Sequence, residues 1–352
     1  MSSEKDTLDF IIVGAQKSGT TSLFQYLRHH PQIALPDGKE LPYFSHDKVY
    51  HRGWQRYMRV LVDIGFHGDP DPSRRWGTVT PHYMAGGVVE PDPGGADDAA
   101  YDVQTVPLRI REQLPQVRLI AILRDPVERA VSHHRMAAMK GRERRSFDEA
   151  ATELLGSEAL DHARRIPEDH TGYVVWSEYG RILKGYFDVF PRDQILVVFT
   201  DELEREPAQL LSRIEDFIGV STAFEPENLE ARYQVGAVSR GFSWTSPSSW
   251  LSPSSPISPQ GVQRALRRNP ASRALWRAVP ERHQLRVRRP YERIAGRVLL
   301  SNRRRSANEV SSNAPPSATT LTRLRSHYVS DTELLASLIG TEPPWQESST
   351  AS

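Results

Sequence analysis

The segment that most constrains the fold lies near the amino terminus, where an apolar run leads into a glycine-containing loop. Residues 10–13 are all apolar, which is typical of a strand buried on both faces of a parallel sheet. The loop 14–22 then opens a helix whose apolar positions are Leu23, Tyr26 and Leu27. Such a loop binds phosphate-like anions, because free backbone N–H groups and the positive end of the helix dipole point into it. The alternative is an ordinary tight turn, since short glycine motifs also arise by chance.

The loop departs from the motif of nucleotide kinases, G-x-x-x-x-G-K-[ST], in which lysine directly follows the second glycine. Thr20 occupies that place, and the lysine lies inside the loop at Lys17. The hydroxyls of Thr20, Thr21 and Ser22 stand where a kinase presents its lysine and its Mg²⁺ ligand. The pattern therefore favours an anion other than Mg²⁺-bound ATP. A P-loop nucleotide kinase or other NTPase is the competing interpretation.

Composition narrows the class of protein. With 352 residues, 38% of them hydrophobic, the chain is long enough for one large α/β domain. The first apolar run is too short for a signal or membrane segment, so we expect a cytoplasmic location and no stable membrane insertion. The lack of cysteine excludes disulfides and thiolate chemistry, and a net charge of +1 predicts no nucleic-acid partner. The oligomeric state stays open.

Lysine is scarce in this chain. Of 45 basic residues only six are lysines, at positions 5, 17, 39, 48, 140 and 184. A lysine kept inside an anion loop indicates that a compact ammonium is needed there. Lys39 is notable for the same reason, although chance explains its position equally well.

Further strands are expected at residues 32–35, 76–80, 118–124 and 194–199, separated by helical patterns. Alternating strands and helices predict a P-loop NTPase-like three-layer α/β domain with a central parallel sheet flanked by helices. We expect a single domain over residues 8–345 and a disordered tail at 346–352. Residues 240–310 form an irregular insertion rich in arginine, serine and proline, a candidate cover for the acceptor site.

A second strand-to-helix junction carries charge. Arg124 ends the strand 118–124, Asp125 is predicted as a helix N-cap, and Pro126 takes the first helical position. Ligands of open α/β sheets bind at the carboxyl ends of strands, and a guanidinium suits phosphate. The alternative for Arg124 is a surface ion pair with Asp125 or Glu128.

Together, these motifs resemble those of sulfotransferases that use 3′-phosphoadenosine 5′-phosphosulfate (PAPS). The resemblance rests on four segments: the loop 14–22, Lys-Glu-Leu-Pro-Tyr-Phe at 39–44, Arg-Asp-Pro-Val-Glu-Arg-Ala-Val-Ser at 124–132, and the closing Leu-Ile-Gly pattern with Trp345. It is strongest to the branch of heparan sulfate sulfotransferases and bacterial carbohydrate or natural-product sulfotransferases. A small-molecule or glycan acceptor and PAPS as sulfate donor are implied. A relative that binds nucleotide but has lost its chemistry is the remaining alternative.

The resemblance also assigns residues. The donor's 5′-phosphosulfate is expected on Lys17, Ser18, Gly19, Thr20, Thr21 and Ser22, and its 3′-phosphate on Arg124 and Ser132. Glu40 matches the catalytic glutamate and would accept the proton of an acceptor hydroxyl, while Lys17 would neutralise the leaving oxygen. From its loop position alone, Glu40 would be a solvated surface charge. No metal is expected in this scheme.

Two departures from the family accompany these assignments. His82 stands where relatives often have a small residue, which makes it a second candidate base or acceptor-orienting group. Val79 replaces a lysine that many relatives carry before the Thr-Pro pair, leaving open whether Lys39 or an arginine substitutes. Arg303, Arg304 and Arg305 are our candidates for the basic loop that closes the nucleotide site in relatives, with a solvated basic turn as the alternative.

Overall fold

A computed structural model describes residues 6–65, 73–89, 102–168, 170–224, 226 and 315–347. These residues all belong to one compact unit of the chain. The predicted insertion 240–310 and the arginines Arg303, Arg304 and Arg305 lie outside them.

The described part of the chain contains one parallel sheet of five strands. The strands are β1 (Phe10–Gly14), β2 (Ile33–Ala34), β3 (Arg75–Val79), β4 (Arg118–Leu123) and β5 (Ile195–Phe199). Their spatial order is β2-β3-β1-β4-β5, so β1 lies at the centre between β3 and β4. The anion loop that follows β1 therefore opens at the middle of the carboxyl edge of the sheet.

Twelve helices are described around this sheet. They are α1 (Thr20–Leu27), α2 (Asp47–Tyr50), α3 (Trp54–Ile64), α4 (Thr105–Gln113), α5 (Pro126–Met139), α6 (Phe147–Leu154), α7 (Ser157–Arg165), α8 (Tyr179–Phe187), α9 (Thr200–Arg205), α10 (Pro207–Ile218), α11 (Ala318–Ile339) and α12 (Pro344–Glu347). Short 3₁₀ helices occur at Pro81–Met84, Val175–Ser177 and Arg192–Gln194. None of the helices in the described ranges is long and apolar enough to cross a membrane.

The sheet has a hydrophobic core on each face, which makes the domain three-layered. Alternate side chains of β1 point to opposite faces, as the strand period of two requires: Phe10 and Ile12 pack with α1 and α10. Ile11 and Val13 pack with α3, α4 and α8 on the other face. Continuous apolar strands follow from burial on both faces, so the predicted α/β architecture is confirmed.

Local sequence explains the junction after β4. The Asp125 side chain accepts the Glu128 N–H at 2.8 Å, and Pro126 begins α5, as expected for an N-cap followed by proline. At the other end of the chain, Trp345 of α12 packs edge-on against Phe199, with ring centroids 5.5 Å apart. Helix α12 includes Gln346 and Glu347, the first two residues of the predicted tail.

Candidate functional site

The anion loop joins β1 to α1, and two of its residues have a left-handed backbone conformation. Lys17 has φ 72° and Gly19 φ 102°. A side chain at Gly19 would bring its Cβ within 3.0 Å of Leu203 Cδ2, so the position needs glycine both for its φ and for its space. Helix α1 begins directly after Gly19 with no side-chain cap. Its first N–H groups are therefore open to an anion in the loop.

A buried hydroxyl in this loop pairs with Tyr179. Ser18 is fully buried. Burial raises the pKa of Tyr179 to about 12, and a side-chain hydrogen bond with Ser18 lowers it in part. An anion seated on the loop would be a stronger acceptor for the Ser18 hydroxyl than a neutral phenol oxygen.

Lys39 connects the loop to Glu40. Its Nζ donates to Thr21 Oγ1 at 2.7 Å and lies 3.4 Å from Thr20 Oγ1. The same ammonium is 3.2 Å from Glu40 Oε1. Lys39 therefore contacts both the anion loop and Glu40.

Glu40 is held against the sheet edge rather than pointing freely into solvent. It has φ 64°, and its N–H donates to the carbonyl of Val79, the last residue of β3, at 3.0 Å. Burial favours the neutral acid, but Lys39 and then His82 outweigh that effect and lower the pKa of Glu40 below its ordinary value. At neutral pH the side chain is a carboxylate, ready to accept a proton.

The surroundings of Lys17 disfavour its protonated, charged form. Burial is the largest influence, followed by the charges of Lys140 and Lys39, and together they lower the pKa of Lys17 to about 8. A lysine with this pKa is still mainly protonated at pH 7, yet gives up its proton more readily than an exposed lysine. Such a group neutralises a departing oxyanion well.

Lys140 is the basic residue that sequence reasoning missed. It follows α5, and its charge acts on both Lys17 and Glu40. Three of the six lysines, Lys17, Lys39 and Lys140, thus converge on one site. The scarcity of lysine is the sequence signal that could have singled out Lys140, but nothing local in the sequence connects this residue to the loop.

These cations matter because position 79, next to Glu40 at the edge of the sheet, carries an uncharged valine. Its side chain is buried in the core beside α1, and only its carbonyl reaches the site. This position supplies no charge. Lys39 and Lys140 supply positive charge near Glu40 instead, from a different loop and from the end of a helix.

His82 lies at the same edge of the sheet, on the 3₁₀ helix after β3. It is buried, and its Nε2 is 3.4 Å from Gln16 Nε2 of the anion loop. Its ring also packs edge-on against Trp176, at 5.8 Å between centroids, and faces His46 at 6.5 Å. Burial, then the nearby His82, lower the pKa of His46 to about 3, so His46 is neutral. Imidazole and indole rings therefore surround His82.

Arg124 and Ser132 form the second part of the site. Arg124 directly follows β4, and its Nε and Nη2 donate to Glu128 at 2.9 and 2.7 Å. This is the ion pair that was the alternative interpretation of Arg124. The pair is solvent-exposed, so breaking it to free Arg124 for a phosphate costs about 0–1 kcal/mol. Ser132 lies on α5 and is half-buried.

The described residues contain no group of three His, Asp or Glu side chains arranged to hold a metal ion. The site offers one carboxylate, several cations and a loop of backbone and hydroxyl donors. This set can bind a dianionic donor, accept a proton and stabilise a leaving oxyanion.

Sequence comparison agrees with this site. The sulfotransferase domain family matches residues 7–235, so the chain belongs to the sulfotransferase family of enzymes. The class suggested by the motifs is thereby confirmed.

Individual relatives are distant. The chain is 26% identical over 215 residues to mouse heparan sulfate glucosamine 3-O-sulfotransferase 3A1, covering 60% of this chain and 45% of that protein. It is 27% identical over 221 residues to human bifunctional heparan sulfate N-deacetylase/N-sulfotransferase 3, covering 60% of this chain and 22% of that protein. The chain thus spans less than half the length of these two relatives. A crystal structure of a sulfotransferase from Alicyclobacillus acidocaldarius matches with a TM-score of 0.50 and 27% identity, over 64% of this chain and 86% of that one.

Proposed function

We propose that this protein transfers a sulfuryl group from PAPS to a hydroxyl of a carbohydrate or natural-product acceptor. The observation that supports this most is the junction of the anion loop with Glu40 through Lys39, which sets a carboxylate beside the cations of a phosphate-type site. In nucleotide kinases the lysine directly follows the second glycine, the position that Thr20 occupies here.

The residues of the loop fit the donor. The 5′-phosphosulfate would be held by the Ser18 hydroxyl, the hydroxyls of Thr20 to Ser22 and the uncapped start of α1. Arg124 and Ser132 would hold the 3′-phosphate, with Arg124 leaving Glu128 to do so. When bound, PAPS supplies an activated sulfuryl group, and residues of this protein would assist its transfer to the acceptor.

The proton movements follow from the pKa shifts. Glu40 is a carboxylate and takes the hydroxyl proton of the acceptor as its oxygen attacks sulfur. Lys17 is protonated and stabilises the phosphate oxygen that leaves. One O–S bond forms as another breaks, the acceptor becomes a sulfate ester, and adenosine 3′,5′-bisphosphate departs.

His82 and the rings around it would orient the acceptor. The imidazole lies on the Glu40 side of the loop, where the attacking hydroxyl must enter. His82 is thus the residue through which the acceptor class is selected, either by a hydrogen bond to a neighbouring hydroxyl or as an auxiliary base.

The decisive experiment incubates the protein with PAPS labelled in its sulfate and with pools of sugars, phenols and lipid-linked glycans. We expect label in an acceptor and release of adenosine 3′,5′-bisphosphate. Mg²⁺-dependent turnover of ATP without sulfate transfer would instead support the NTPase alternative. Tight nucleotide binding with no transfer to any acceptor would support a relative that has lost its chemistry.

A further inference from the structure

Thr200 contacts both halves of the donor site through one hydroxyl. It is the first residue of α9 and directly follows β5. Its Oγ1 donates to the carbonyl of Ser18 at 2.8 Å and lies 3.0 Å from the carbonyl of Leu123, so one hydrogen is shared between two acceptors. Ser18 belongs to the anion loop, and Leu123 immediately precedes Arg124.

The start of α9 is itself firmly held. Glu202 accepts the N–H of Phe199 at 2.7 Å and is bound by both terminal nitrogens of Arg213, at 2.8 and 2.9 Å. One turn after Thr200, Leu203 packs against Gly19 so closely that a Cβ there would lie 3.0 Å away. Thr200 therefore acts from a fixed position and does not simply follow the loop.

The two carbonyls belong to peptide groups that carry the Gly19 and Arg124 N–H groups. In a trans peptide the carbonyl and the N–H point in opposite directions. When Thr200 binds the Ser18 carbonyl, it fixes the direction of the Gly19 N–H at the entrance to α1. The contact with Leu123 likewise fixes the backbone from which the Arg124 side chain extends.

We propose that Thr200 is a positioning residue that sets the distance between the 5′-phosphosulfate loop and the 3′-phosphate arginine. The inference rests on the proposed function, because it takes these segments as the two ends of one donor site. A ligand that bridges both ends benefits from the fixed spacing, whereas a ligand held at one end does not.

The test measures binding of three nucleotides by calorimetry: adenosine 3′,5′-bisphosphate, 5′-AMP and 3′-AMP. Thr200→Val keeps the shape of the side chain but removes the hydroxyl. We expect the bisphosphate to bind about tenfold more weakly, the loss corresponding to one hydrogen bond, and each monophosphate to change by less than about twofold. Thr200→Ser should restore the bisphosphate affinity to that of the wild type.

Thr320→Val is the matched control, because it removes a hydroxyl in the first turn of α11 that bonds Ser317 and Asp148 rather than either segment of the donor site. It should leave all three affinities unchanged. Equal losses for the three nucleotides in Thr200→Val, or unchanged bisphosphate affinity, would overturn the positioning role. A wild-type protein that does not prefer the bisphosphate over the monophosphates would contradict the proposed function itself, and the positioning role with it.

Discussion

Lys39 Nζ donates to Thr21 Oγ1 at 2.7 Å, and this bond joins the loop after β2 to the first turn of α1. The same ammonium also contacts Glu40. One lysine thus aligns the residue proposed to accept a proton with the loop proposed to hold the sulfate donor. The arrangement has direct consequences for pH dependence, because the charge of Lys39 acts on both Glu40 and Lys17.

Lys39→Met should move the acidic limb of the pH–activity profile upward. Lys39 is the largest influence that lowers the pKa of Glu40, so removing it raises that pKa. Glu40 must be deprotonated to act, hence activity is lost at a higher pH as the solution is acidified. The measurement is kcat from pH 4 to 8, with Lys184→Met, a surface lysine paired with Asp188, as the control. An unchanged acidic limb in Lys39→Met would show that Glu40 is not the group that titrates.

Glu40→Gln should abolish transfer while leaving nucleotide binding nearly intact. The amide keeps the shape of the side chain but cannot take a proton, and loss of a general base lowers kcat by about 10²–10⁴-fold. Sulfate transfer and calorimetric binding of adenosine 3′,5′-bisphosphate measure the two effects separately. Glu153→Gln, which changes an exposed glutamate paired with Arg145, should alter neither. Full activity in Glu40→Gln would remove this residue from the mechanism.

Lys140→Met should move the alkaline limb of the profile upward. In the wild type, activity should fall as pH rises through the Lys17 pKa of about 8, because Lys17 then loses the proton needed by the leaving oxygen. Lys140 is the neighbouring charge that lowers this pKa most, so its removal keeps Lys17 protonated to a higher pH. The kcat profile from pH 7 to 10 measures the shift.

Lys17→Met provides the comparison for that experiment. It should reduce kcat by about 10²–10³-fold at every pH and remove the alkaline limb. If Lys140→Met leaves the limb in place while Lys17→Met removes it, Lys140 does not act through Lys17.

Arg124→Ala should weaken binding of adenosine 3′,5′-bisphosphate by about 10- to 100-fold, as expected for a lost charge-assisted contact, and affect 5′-AMP little. Glu128→Gln should have the opposite effect. It releases Arg124 from an exposed ion pair, which would tighten bisphosphate binding by about two- to fivefold. Arg323→Ala, on the exposed face of α11, is the control. Equal losses of both nucleotides in Arg124→Ala would contradict the assignment of the 3′-phosphate.

Much of the fold could be predicted because it depends on local patterns. The apolar runs of β1 and β4 are continuous since both faces of the sheet are covered, and Asp125 with Pro126 marks the start of α5 by capping chemistry. The strand order could not be predicted in this way. Strand β3 lies between β2 and β1 because of contacts between segments 42 and 67 residues apart in sequence, and no local signal records such pairing.

The candidate site shows the same division. Lys17 and Arg124 stand in motifs whose residue types match an anion-binding chemistry, and the family resemblance assigned Glu40, so all three were candidates from the sequence. Lys140 and Thr200 stand in no motif, and each acts only through what the fold brings beside it.

The sequence by itself determined the chemistry of this protein: a displaced lysine, a row of hydroxyls and a glutamate in a loop, in a pattern that belongs to sulfotransferases. The tertiary structure decided how those groups are charged and aligned. The Lys39 ammonium contacts both Thr21 and Glu40. The Arg124 guanidinium donates to the Glu128 carboxylate. The Thr200 hydroxyl contacts the carbonyls of Ser18 and Leu123. Hydrogen bonds and pKa shifts depend on distances of a few ångströms, and most of these distances are set by packing between segments that are remote in the chain.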